Sequence, residues 1–122
     1  MYIEDNLSNL KLVEQVFDRR PDLRLLTAMQ GSVGLDLARQ NIPDLVLLDV
    51  HLPDMDGREV LRRLRDDPAT YHIPVIVLSA DATPGQIERL LAAGTLKYLT
   101  KPLDLKELLR TVDAALEPTG AV

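Results

Sequence analysis

Leu45-Val46-Leu47-Leu48, running straight into Asp49, and Val75-Ile76-Val77-Leu78, running into Ser79, decide how this chain folds. Each run is apolar at consecutive positions, so a strand built from it is covered on both faces. Such strands belong to parallel sheets packed between helices. Further short, largely apolar runs are Met1-Tyr2-Ile3, Leu23-Arg24-Leu25-Leu26-Thr27 and Leu96-Lys97-Tyr98-Leu99, and Ile73-Pro74 leads into the run at 75–78.

Between the runs, apolar residues recur at helical spacing. Leu7, Leu10, Val13 and Phe17 form one stripe. Val33, Leu37 and Ala38 form a second, Val60, Leu61 and Leu64 a third, and Ile87, Leu90 and Leu91 a fourth. Leu105, Leu108, Leu109, Val112 and Leu116 form the cleanest. Thr83-Pro84 offers an N-cap with proline at the first helical position, Asp104 and Glu107 stand as a capping box, and Gly94 marks a helix end. The order is strand then helix, five times. That alternation predicts an α/β fold with one doubly wound parallel sheet and right-handed crossovers.

Composition agrees with one soluble-type globule. The chain has 122 residues, 46% hydrophobic and 27% charged, enough for a single core. There is no cysteine, which removes disulfides, thiolate metal sites and cysteine nucleophiles. A net charge of −5 lacks the cationic footprint of sequence-independent nucleic-acid binding. No apolar run approaches membrane-spanning length, and the first residues carry no signal-peptide pattern, so a cytoplasmic setting is expected.

In an open parallel sheet, ligands bind beyond the carboxyl ends of the strands. Those ends carry Glu4-Asp5, Thr27-Ala28-Met29, Asp49, Ser79-Ala80 and Thr100-Lys101-Pro102. Taken singly, each polar residue has an ordinary role. Glu4 or Asp5 could cap the first helix, Asp49 or Ser79 the following turn, and Lys101 could be a solvated loop charge. Together, three carboxylates on one edge repel each other, which is tolerated chiefly around a cation. Hard oxygen donors suit Mg²⁺, and with no cysteine and only His51 and His72, zinc is disfavoured. Lys101 and Ser79 add an ammonium and a hydroxyl, completing the parts of an acyl-phosphate site in which a carboxylate attacks phosphorus.

Four segments, in order, resemble the response-regulator receiver domain of two-component signalling: Glu4-Asp5-Asn6, the stretch from Leu47-Leu48-Asp49 to Asp56-Gly57, Val77-Leu78-Ser79-Ala80-Asp81-Ala82, and Tyr98-Leu99-Thr100-Lys101-Pro102. The resemblance covers residues 1–118, with 119–122 as a tail. It implies a flavodoxin-like sheet of order 2-1-3-4-5, with Asp49 accepting a phosphoryl group from the histidine of a histidine kinase or histidine phosphotransfer domain. It implies a Mg²⁺ site of Glu4, Asp5, Asp49 and the backbone carbonyl of His51. Lys101 would pair with phosphoryl oxygens, ahead of a cis Lys101-Pro102 bond. Ser79 and Tyr98 would act as the switch pair, changing the surface of the fourth helix, fifth strand and fifth helix. His51 and Asp81 take positions that tune hydrolysis, although His51 also reads as an inert surface residue. Such a domain promotes its own phosphorylation and is a monomer or weak dimer with no nucleic-acid or membrane contact of its own.

Two features depart from the family. Only Met1, Tyr2 and Ile3 precede the acidic pair, so the first strand is expected to be truncated, as if cut from a longer parent; the style of the motifs is similar to receivers of hybrid sensor histidine kinases. The stretch Ala93–Tyr98 lacks the small-acidic residues that many members carry before the aromatic. Two other functions compete. A pseudo-receiver that only binds protein would be expected to lack a site residue, and Mg²⁺ binding discriminates it. A flavin protein on the same sheet needs a Gly/Ser/Thr phosphate loop where this chain has Glu4-Asp5-Asn6, and would be coloured.

Overall fold

The computed structural model describes residues 1–81 and 83–117. Ala82, the expected boundary at 118 and the tail at 119–122 lie outside the described residues. The elements are β1 (Tyr2–Ile3), α1 (Leu7–Asp18), β2 (Thr27–Ala28), α2 (Gly31–Asn41), β3 (Val46–Asp49), α3 (Gly57–Asp66), β4 (Val75–Ser79), α4 (Pro84–Ala92), β5 (Lys97–Thr100) and α5 (Leu105–Leu116). All strand pairings are parallel, and the sheet order is β2-β1-β3-β4-β5, as expected.

Alternation along each strand divides the core. Tyr2, Leu45, Leu47, Ile76, Leu78 and Leu99 face α1 and α5, beside Leu10, Val13, Phe17, Leu108 and Val112. Ile3, Val46, Leu48, Val75 and Val77 face α2, α3 and α4, beside Leu35, Ala38, Val60, Leu61, Leu64 and Leu90. Two apolar layers thus cover a sheet whose strands had to be apolar on both sides.

Strand bounds differ from the apolar runs in a consistent way. β3 and β4 extend one residue past their runs, so Asp49 pairs with Leu78 and Ser79 with Thr100 in the ladder. Asp49 and Ser79 therefore sit on paired strand backbone, while Glu4, Asp5 and Lys101 stand just beyond strand ends. β2 is two residues long, and Leu23–Leu26 are outside it. Its partner β1 offers only Tyr2 and Ile3, paired with Thr27 and Ala28. β1 is short, as expected, yet it is pinned on both sides, because Tyr2 and Ile3 also pair with Leu47 and Leu48.

Helix stripes need three corrections. Leu7, Val33 and Leu91 are exposed, and Leu35 is buried instead. The true stripe of α2 is Gly31, Gly34, Leu35 and Ala38. Glycine hides it from a hydrophobicity pattern. A Cβ at Gly34 would lie 2.5 Å from Cδ1 of Ile3, so the helix approaches β1 more closely than any side chain permits. Caps also shift. Asn6, not Glu4 or Asp5, caps α1 by accepting from the Asn9 amide. Thr83 precedes α4 with Pro84 at the first position, but its side chain makes no cap hydrogen bond. Asp104 caps α5 through the amides of Lys106 and Glu107. Gly94, at φ +101°, follows the end of α4.

Candidate functional site

The carboxyl ends of β1, β3, β4 and β5 bring the expected residues together. Glu4, directly after β1, is fully buried. Asp5 beside it is exposed, and Asp49 at the end of β3 is buried. Glu4, Asp5 and Asp49 each offer an oxygen within 4.8 Å of the others. Lys101 Nζ reaches into this cluster after β5, 2.8 Å from Glu4 Oε1 and 3.2 Å from Asp49 Oδ2. The peptide bond between Lys101 and Pro102 is cis.

Glu4 is the most heavily held group. Its Oε1 accepts from the Tyr2 hydroxyl at 3.0 Å, from Asn9 Nδ2 at 3.0 Å and from Lys101 at 2.8 Å. Burial alone pushes this carboxyl up, but Asp49 in its protonated form, Lys101 and Asn9 outweigh it and leave it at about 2. Asp49 goes the other way. Burial raises it and the Glu4 carboxyl adds to the rise, against the His51 amide and Lys101, so it stands at about 6. One ammonium between two buried carboxylates favours ionising one of them fully and taxes the second. Burial works against the Lys101 ammonium too, yet Glu4 and Asp49 hold its pKa above the ordinary lysine value.

Tyr2 and Asn9 are site residues that the sequence reading missed. In the sequence Tyr2 reads as plain strand. Its position two before Glu4, on the same strand face, was the available signal, because residues i and i+2 share a face. Burial and the Glu4 carboxylate push its phenol well above the ordinary tyrosine range, so it stays a donor. Asn9 follows the cap residue Asn6 by three, which brings it over the end of β1.

The loop after Asp49 is locked by short contacts. Asp49 Oδ1 accepts from the His51 amide at 3.1 Å. The Gly57 amide donates to the Val50 carbonyl at 2.7 Å. A Cβ on Gly57 would meet the Asp49 carbonyl oxygen and Val50 Cα, both at 2.6 Å. Asp56 caps α3, and Asp54 accepts from the Gly31 and Ser32 amides at the start of α2. His51 itself is exposed.

Ser79 is fully buried, and its Oγ accepts from the Asp81 amide at 3.1 Å. Asp81 is exposed and accepts from the Thr83 amide, which holds its carboxyl below the usual range. Tyr98 is half-buried on the α2–α3–α4 side of the sheet, and its hydroxyl is buried with no hydrogen-bond partner among the described residues. The donor set suits a small hard cation: three carboxylates, no thiolate and no imidazole in the cluster. No helix among the described residues is long and apolar enough to cross a membrane.

The model of the response regulator receiver domain matches residues 1–113. The polar-differentiation response regulator DivK of Brucella ovis is 36% identical over 116 residues, covering 95% of this chain and 94% of that protein. A putative response regulator from Chloroflexus aurantiacus superposes with a TM-score of 0.85 at 28% identity, covering 93% of each chain. The receiver domain of the Pseudomonas aeruginosa sensor histidine kinase PA1611, solved with a magnesium ion coordinated in its active-site cleft, superposes with a TM-score of 0.82 at 31% identity, covering 93% of this chain and 92% of that one. With fold, strand order and sequence in agreement over nearly its full length, the chain belongs to the response regulator receiver domain family of two-component signalling.

Proposed function

We propose that this chain is a phosphoacceptor switch with Asp49 as the nucleophile. The observation that carries the reading is the placement of Asp49: buried at the end of β3, 3.2 Å from the Lys101 ammonium and within the acidic cluster. In the step, an Asp49 carboxylate oxygen forms a P–O bond as the P–N bond of a phosphohistidine breaks. The electron pair returns to the imidazole nitrogen, which takes up a proton from solvent. Glu4, Asp5, Asp49 and the carbonyl of His51 would hold Mg²⁺, and PA1611, 31% identical, binds magnesium in its own cleft. When bound, the ion supplies positive charge against the phosphoryl oxygens.

The chain's own residues do the rest. Asp49 must be ionised to attack, and its pKa of about 6 leaves it largely so at neutral pH. Lys101, already between Glu4 and Asp49, pairs with a phosphoryl oxygen as a point charge. Ser79 stands ready to exchange its bond with the Asp81 amide for donation to the phosphoryl group. Tyr98, whose hydroxyl has nothing to hold it, follows Ser79 and alters the α4–β5–α5 surface. His51 and Asp81, both exposed, set the rate of hydrolysis. The donor fits a cytoplasmic histidine kinase or histidine phosphotransfer domain, with the receiver a monomer or weak dimer.

Phosphoramidate, which carries a P–N bond, tests this directly. Peptide mapping after borohydride reduction should find the modified residue at Asp49. Modification at Asp5, Asp54 or Asp56 in its place would overturn the assignment.

A further inference from the structure

α4 is held most firmly at one end, with Gln86 and Ile87 only half-buried nearer its start. Among the described residues, Leu90, near its C-terminus, is its only buried side chain, whereas α2 and α3 each bury four residues. Its first turn has no side-chain cap, Pro84 and Gly85 are exposed, and a Cβ added at Gly85 would meet nothing within 4 Å. Glycine there also costs roughly 1 kcal/mol of helix propensity against alanine.

The C-terminal end is different. Arg65, in the last turn of α3, donates through Nη2 to the Gly94 carbonyl at 2.9 Å, just past α4. Its Nη1 donates to the carbonyls of Tyr71 at 3.1 Å and Ile73 at 2.8 Å, in the segment leading to β4. No carboxylate pairs with this guanidinium among the described residues, unlike the paired Arg62 and Arg63 beside it. All its directed hydrogen bonding goes to backbone carbonyls of two other segments. Gly94 has φ +101°, and a Cβ on it would lie 3.2 Å from Arg65 Nε, so glycine leaves room for the Arg65 side chain beside the turn. Thr95 reinforces the end, donating from Oγ1 to the Leu90 carbonyl at 2.9 Å, and the Leu96 amide donates to the Val75 carbonyl at 2.7 Å.

We propose that Arg65 is the pivot of α4: it clasps the Gly94 turn, so that the helix opens and swings from its N-terminal end. Arg65 is thus a positioning residue remote from the chemistry. The swing in response to phosphorylation rests on the function proposed above; the one-ended attachment does not.

Amide hydrogen exchange on the full chain tests both parts. Without phosphoryl donor, amides of residues 86–89 should exchange at least tenfold faster than those of 93–96. Arg65→Met keeps the aliphatic stem and removes the donors; it should raise exchange at 93–96 at least tenfold and leave β1 and β3 protected. Gly94→Ala, which presses a methyl group on Arg65, should act in the same direction if Arg65→Met fails to fold. With acetyl phosphate and Mg²⁺, the change between the start of α4 and β5 should stay within residues 83–89 in the unaltered chain and spread to 93–96 in Arg65→Met. Equal exchange along α4, or protection at 93–96 untouched by both variants, would overturn the pivot. A failure to take up phosphate would overturn the functional reading alone, since the exchange gradient is read without it.

Discussion

Lys101 and Glu4 stand 97 positions apart in the chain and meet at 2.8 Å, joining the strand that opens the fold to the one that closes it. Lys101 is also 3.2 Å from Asp49, so a single ammonium offsets two buried carboxylates. Replacing it by methionine leaves Glu4 and Asp49 facing each other. With chelator at pH 7, Lys101→Met should cost about 1–3 kcal/mol of stability in urea unfolding, less than a fully buried pair because the lysine keeps some solvent contact.

Asp49→Asn should do the opposite, and its effect should depend on pH. The folded-state pKa of Asp49, about 6, lies above the ordinary 3.8. A raised carboxyl favours folding when protonated, so its contribution is full below pH ~4 and is lost as pH rises through about 6. With chelator at pH 7.5, Asp49→Asn is therefore more stable than the unaltered chain, by about 1–3 kcal/mol. The gain should shrink through pH 6 and vanish near pH 4. Glu4 runs the other way: lowered from 4.5 to about 2, its contribution is present above pH 4.5 and lost as pH falls towards 2. Unfolding midpoints of both chains over pH 4–8 give the comparison.

Two tyrosine-to-phenylalanine changes should have different signs. Tyr2 donates to the buried Glu4 carboxylate, so Tyr2→Phe should cost about 1–2 kcal/mol. The Tyr98 hydroxyl is buried without a partner among the described residues, so Tyr98→Phe removes an unpaid desolvation and should be neutral or stabilising by up to about 1 kcal/mol. Chemical denaturation of the two variants side by side separates them.

Two glycine-to-alanine changes contrast in the same manner. At Gly57 a methyl group meets backbone atoms of Asp49 and Val50 at 2.6 Å, which cannot give way cheaply. Gly57→Ala should cost more than about 2 kcal/mol and displace the loop that follows Asp49. At Gly85 the space is open, and Gly85→Ala should stabilise by about 0.5–1 kcal/mol. Thermal unfolding reads both.

The sheet was legible because strands covered on both faces are apolar throughout, and Leu45–Leu48 and Val75–Leu78 are too short for helices and each follows a proline closely. Glu4, Asp5, Asp49, Ser79 and Lys101 followed from asking what stands at strand ends. What stayed hidden depends on three-dimensional closeness. The packing stripe of α2 begins with Gly31 and Gly34, which carry no hydrophobic signal and matter because Ile3 sits against them. Tyr2 and Asn9 look apolar and polar in the usual places, and only the shared oxygen of Glu4 joins them. Arg65 is one of several arginines on α3, and nothing in its neighbours says that it serves backbone carbonyls where the others serve carboxylates.

The most direct test of the central claim is intact mass after incubation with acetyl phosphate, with Mg²⁺ and with chelator, for the unaltered chain and Asp49→Asn. One added phosphoryl group is expected, only with Mg²⁺ and only when Asp49 is present. Uptake by Asp49→Asn, or none by the unaltered chain with Mg²⁺, would contradict it.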